Sequence, residues 1–150
     1  MRSARGKLRR TLGLTYIFIS HDLSLMRSFV SRVGILYLGR LIETGPTRDL
    51  FESPAHPYTR SLIAAVPVVS DEEEALKPHE PIVEGEIPNP ANMPSGCAFH
   101  TRCPHVMTVC RAEMPGVTLV NRHHSANCHL LRSAPAGVYF PPQTVEETGR

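Results

Sequence analysis

Apolar and polar positions divide this chain into an ordered first part and a less regular second part. Thr15-Tyr-Ile-Phe-Ile-Ser20 is an unbroken β-branched and aromatic run with no polar alternation, the pattern of a strand buried on both faces of an α/β sheet. Ser20 and Asp22 are good helix caps, and Leu23, Met26, Val30 and Val33 then recur at helical spacing, which predicts a strand, a polar corner and a helix. Val33–Leu38 and Arg40–Thr44 flank Gly39 and predict a hairpin or tight strand pair. After Gly45-Pro46, the stretches Thr47–Phe51 and Tyr58–Val66 read as two short helices, the second opened by Pro57 near its first turn.

Composition sharpens the division. Eleven of the 14 prolines lie at or beyond Pro67, so regular structure is expected mainly before it. The net charge of +2 is a sum over unlike pieces. Residues 1–66 carry ten basic and four acidic side chains, 67–92 carry Lys77 against seven acids, and 93–150 are again slightly basic. The reading is therefore an ordered piece over 1–66, an acidic linker over 67–80, a loop-rich segment over 81–132 and a poorly ordered tail over 133–150. No apolar run approaches the ~20 residues that span a bilayer, and residues 1–20 are not organised as a secretory signal. A soluble, intracellular chain is expected. Arg2, Arg5, Lys7, Arg9 and Arg10 have no interleaved aromatics to stack on bases, so they read as the solvated face of a helix and not as a nucleic-acid arm.

Two places carry candidate chemistry. His21 sits in the polar corner after the expected strand, and ligands of open α/β sheets collect beyond the carboxyl ends of strands. The second is Cys97, Cys103, Cys110 and Cys128, separated by five, six and seventeen residues. A reducing compartment keeps thiols free, so this is a ligand set or four plain thiols before it is a disulfide framework. The spacing is not that of C-x-x-C zinc ribbons, and thiolates suit either zinc or an iron–sulfur cluster. Gly96 before Cys97 and Pro104 after Cys103 favour tight turns there, while His100, His105, His123, His124 and His129 could compete as ligands.

The runs Leu14-Thr-Tyr-Ile-Phe-Ile-Ser-His21-Asp-Leu23, Arg32-Val-Gly-Ile-Leu-Tyr-Leu-Gly-Arg40 and Glu43-Thr-Gly-Pro-Thr47 closely resemble the end of an ABC transporter ATP-binding subunit. Ser53-Pro-Ala-His-Pro-Tyr-Thr-Arg-Ser-Leu62 is similar to the segment that marks the oligopeptide and dipeptide importers, with His56, Pro57 and Tyr58 as branch markers and not as catalytic groups. Glu84-Gly-Glu-Ile-Pro-Asn-Pro90, Pro94-Ser-Gly-Cys-Ala-Phe-His-Thr-Arg-Cys-Pro104, Cys110-Arg111 and Cys128-His-Leu130 resemble the carboxyl-terminal extension of those importers. The resemblance covers about residues 8–132. It implies a C-terminal fragment of an α/β P-loop ATPase domain followed by a small four-cysteine extension. It further implies His21 as the switch histidine at the terminal phosphate of ATP, and Cys97, Cys103, Cys110 and Cys128 as ligands of a structural [4Fe–4S] cluster, with zinc as the alternative. Implied partners are transmembrane permease subunits and a second ATPase subunit, on the cytoplasmic face of the membrane.

The same comparison exposes what the chain does not contain. A phosphate loop of the form G-x-x-x-x-G-K-[ST] is needed to hold phosphates and Mg²⁺. Gly34 and Gly39 have the right separation, but Arg40-Leu41 follow and the intervening residues are strand-like. No acidic residue precedes Asp22, so the family's upstream Asp and Glu have no counterpart, and the glycine-rich signature loop is absent. The expectation is no ATP hydrolysis by this chain alone, with ATP and Mg²⁺ bound only in the complete subunit. A buried strand without neighbours further predicts marginal stability or association. The rival reading is a free-standing metal-binding regulatory module.

Overall fold

The computed structural model describes residues 11, 13–67, 77–78, 83 and 85–132. The basic stretch Arg2–Arg10, most of the linker expected over 67–80 and the tail over 133–150 lie outside the described residues.

Helix α1 spans Leu23–Phe29 and opens on Asp22, whose carboxylate accepts the Leu25 N–H at 2.9 Å. This satisfies one of the amides that the first turn leaves open. The helix stops short of the apolar periodicity read from sequence. Val30 is extended at φ −98°, ψ 146°, because the Thr47 hydroxyl donates to its carbonyl at 2.7 Å and the Thr47 N–H donates to Ser31 O at 3.2 Å. Those bonds draw the chain into strand β1, Arg32–Tyr37, so Val33 belongs to β1 and not to the helix.

Strands β1 and β2 (Arg40–Pro46) form the expected antiparallel hairpin, with Tyr37 opposite Arg40. The two-residue loop places both Leu38 (φ 47°) and Gly39 (φ 75°) in the left-handed region, as the twist of a tight hairpin demands. Along β1 every second side chain is buried, Val33, Ile35 and Tyr37 facing inward, the period of a half-covered strand. Helices α2 (Thr47–Glu52) and α3 (Pro57–Ala64) follow. Pro57 takes the first helical position, where its missing N–H removes nothing.

The extension completes this sheet. After α4 (Thr108–Ala112), strands β3 (Thr118–Asn121) and β4 (His124–Ala126) add a second hairpin, giving the all-antiparallel order β1-β2-β4-β3. Glu43 lies opposite Ala126 and Thr44 opposite Ser125. The core draws on both parts: Val33, Ile35, Tyr37, Ile42 and Leu50 pack with Ala98 and Phe99. Phe99 is fully buried, its ring centroid 5.3 Å from Tyr37 and 5.4 Å from Tyr58.

One expectation fails. Residues 14–20 are neither a strand nor buried, and Ile17 and Ile19 are 90% and 100% exposed. The run has the composition of a central strand, but none of the strands among the described residues runs beside it, and without a ladder partner β propensity alone does not make a strand. The architecture is accordingly mixed α/β around a small antiparallel sheet, not a doubly covered parallel one.

Candidate functional site

The turn that carries Cys97 is set by Gly96, at φ 63°. The Cys97 N–H donates to Cys110 O at 2.8 Å, and Ser95 Oγ donates to Arg111 O at 2.8 Å, so the turn is clamped against α4. Cys103 follows within the same coil, Cys110 lies on α4, and Cys128 stands between β4 and the 3₁₀ turn His129–Arg132. None of the four is in a disulfide, and all four line one small, partly open cavity of about 10 Å³, with Phe99, His56 and Pro57 among its other walls. Burial pushes the Cys97 thiol up and the Cys128 thiol up to about 12, because a thiolate in an apolar wall lacks solvation. Unmetallated, these groups stay protonated; an ion or cluster would supply the missing positive charge.

Among the described residues no three His, Cys, Asp or Glu side chains are gathered as a single metal ion requires. One tetrahedral zinc needs its sulfurs converging at about 2.3 Å on one point. Four soft donors around one cavity, with Nε2 of His56 buried and without a partner, are the groups that would face a metal centre held by these cysteines.

The histidines of the extension take separate roles. His100 Nδ1 is 2.9 Å from Cys97 O and His129 Nε2 is 2.9 Å from Glu113 O, each a donor bond to a backbone carbonyl beside the cavity. His105 also lines it. His123 is exposed, its carbonyl accepting from Arg32. His124 lies outside the cavity wall and is buried against Glu43.

Glu43 is the group that sequence reasoning missed. It projects from β2 into the interior, 1% exposed, and its two oxygens accept the N–H groups of Ala55 (2.8 Å) and His56 (2.9 Å) and Nε2 of His124 (2.6 Å). Burial raises its pKa, but the bonds from His124 and from the two amides outweigh that and hold it below the ordinary value. The carboxylate thus ties β2, the start of α3 and β4 into one unit. Its only signal in sequence is an acid inside an otherwise strand-like run, Arg40-Leu-Ile-Glu-Thr44.

His21 stands apart. It is exposed at the end of the extended apolar segment, one residue before the α1 cap, and belongs to neither the cavity nor the Glu43 cluster.

Known proteins resemble this chain over most of its length. Residues 42–110 match the family described as "Oligopeptide/dipeptide transporter, C-terminal region". The chain is 41% identical to the "Oligopeptide transport ATP-binding protein AppF" of Bacillus subtilis, over 83% of this chain and 37% of that protein. It is 41% identical to the "Probable peptide ABC transporter ATP-binding protein y4tS" of Sinorhizobium fredii, over 95% of this chain and 42% of the relative. Identity is 44% with the "Putative peptide import ATP-binding protein BOV_A0347" of Brucella ovis, over 81% of this chain and 37% of the relative. The chain spans about two fifths of the length of the curated relatives it matches.

Proposed function

We propose, from the match of residues 42–110 to the C-terminal region of the oligopeptide/dipeptide transporters, that this chain serves as part of the ATP-binding subunit of an ABC peptide importer. The observation that carries this reading is the 41% identity to an oligopeptide transport ATP-binding protein over 83% of the chain. Residues 1–66 are then the end of the ATPase domain, 67–80 a linker, 81–132 the extension and 133–150 a tail. In the assembled importer the partners are membrane-spanning permease subunits and a second ATPase subunit, at the cytoplasmic face. His21 contacts the terminal phosphate of ATP held by the rest of the site. There its imidazole orients the attacking water and stabilises developing charge, which is most of what catalysis of phosphoryl transfer requires. The free-standing metal module loses ground, because the relatives carry this segment within transport ATP-binding proteins.

Cys97, Cys103, Cys110 and Cys128 hold a [4Fe–4S] cluster on this reading, with zinc as the lesser alternative. The support is their shared cavity. Such a group would replace the apolar core that a proline-rich segment cannot build. Anaerobic reconstitution with ferrous iron and sulfide should give iron and labile sulfide in equal amounts; stoichiometric zinc without iron uptake would favour the alternative.

The function is tested by replacing the matching C-terminal stretch of the Bacillus subtilis relative with this chain. Retained peptide-dependent uptake is expected, with His21→Ala lowering ATP turnover by about 10²-fold while nucleotide binding persists. A folded chimera that binds the permease but supports no uptake would reject the reading.

A further inference from the structure

His56 caps α3, is 1% exposed and forms part of the wall shared by the four cysteines. Its Nδ1 accepts the Tyr58 N–H at 3.0 Å. A backbone N–H only donates, so Nδ1 carries no proton and a neutral ring must carry it on Nε2. The ring is neutral near pH 7. Burial pushes its pKa down to about 4, with the Glu43 carboxylate opposing and Arg60 reinforcing the shift. Nε2–H is therefore a donor, and it is buried with no acceptor. Such orphans are rare, because each forfeits its hydration without return.

We propose that His56 is a positioning residue that donates its Nε2–H to a sulfur of the group held by Cys97, Cys103, Cys110 and Cys128, and so sets that group's reduction potential. The inference rests on the reading of those cysteines as a ligand set. A protonated thiol is a weak acceptor, whereas a metal-bound thiolate or a cluster sulfide is anionic and a strong one. The orphan thus belongs to the unmetallated chain and is resolved on loading. His100 and His129 already spend a ring nitrogen on backbone carbonyls, which leaves His56 with the uncommitted N–H. A donor at sulfur stabilises the more negative, reduced state, and the His56 backbone N–H is at the same time bound to Glu43. The hairpin and α3 are thereby coupled to the electronic state of the centre.

The test uses the full chain reconstituted anaerobically with ferrous iron and sulfide. His56→Asn keeps a side-chain oxygen to cap α3 and withdraws the ring donor; His56→Phe keeps the ring volume. Both are expected to hold wild-type iron and labile sulfide per chain with a midpoint potential more negative than wild type. In the wild type the Fe–S stretching bands in resonance Raman spectra should shift on transfer to D₂O, and this shift should be smaller in the variants, which keep only the backbone N–H donors at sulfur. Unchanged potentials with an undiminished deuterium shift in the loaded variants would overturn the role of His56 alone. A folded variant that takes up no iron would overturn it too, by making His56 a ligand. Wild type that takes up neither iron nor sulfide would overturn the cysteine reading and His56 with it. Should both variants unfold, pulsed EPR of the reduced wild type with ¹⁵N-labelled histidine decides: a hyperfine coupling to a histidine nitrogen is expected, and its absence would overturn the role of His56.

Discussion

Oε1 of Glu43 and Nε2 of His124 lie 2.6 Å apart although 81 residues separate them in sequence, and both side chains are essentially inaccessible to water. One partner comes from the first hairpin and the other from the hairpin of the extension, so this bond fixes how the two halves of the sheet meet.

Breaking the Glu43–His124 pair should be costly in a way that a surface pair is not. Glu43→Ala leaves His124 and two backbone N–H groups without their acceptor, and His124→Ala leaves a buried carboxylate short of its strongest partner. Each should lower unfolding free energy by about 3 kcal/mol. A double-mutant cycle by urea denaturation should return a coupling of at least about 1 kcal/mol. Arg48 and Glu52, an exposed i,i+4 pair at 2.9 Å, should couple by no more than about 0.5 kcal/mol.

Stability should fall on acidification, beginning well above the usual carboxylate range. The His56 pKa is depressed from 6.5 to about 4 by burial, so its contribution is complete above pH 6.5 and is lost as pH falls from 6.5 toward 4. Glu43 is also depressed, from 4.5, so its contribution is present above that value and is lost below it. Unfolding free energy measured from pH 8 to pH 3.5 should be level at first and then decline, by at most about 1.4 kcal/mol per pH unit from His56. In His56→Phe the decline above pH 4.5 should disappear. A wild-type profile level down to pH 4.5 would contradict this assignment.

Gly96→Ala should damage the cysteine turn. Gly96 has φ 63°, and an added Cβ would lie 2.4 Å from Cys110 O, a backbone atom that has no room to yield. The hydrogen bond from Cys97 to that oxygen should be lost. We expect destabilisation of about 2–3 kcal/mol and a marked drop in iron uptake. Gly116, with nothing near its Cβ position, is the matched control and should tolerate alanine.

The exposed run 14–20 should govern association and not stability. Ile17→Lys and Ile19→Lys remove side chains that are 90% and 100% exposed, so unfolding free energy should change by less than about 0.5 kcal/mol. Light scattering should show less self-association than in the wild type, because the exposed apolar patch of Tyr16, Ile17, Phe18 and Phe29 is broken by charge. Unaltered association would place the contact elsewhere.

Local signals in the sequence determined the β1–β2 hairpin, α2, α3 and the Asp22 cap. Gly39 at the turn, Pro57 at a helix start and the alternation of Val33, Ile35 and Tyr37 each act within a few residues. The motifs likewise carried the resemblance to peptide-transport ATP-binding proteins. What the sequence could not determine depended on which segment packs against which. Thr15–Ser20 has strand composition but no neighbour to make it a strand, and Val33 fits a helical spacing that Thr47 overrides from across the fold. Glu43 and His124 looked like a strand acid and a spare ligand until the sheet order placed β4 beside β2. His56 read only as a branch marker at a helix entry until Phe99 and the cysteines were packed around it. Propensity and turn chemistry are read locally, whereas burial, and with it the charge state of a carboxylate or an imidazole, is set by residues far away in the chain.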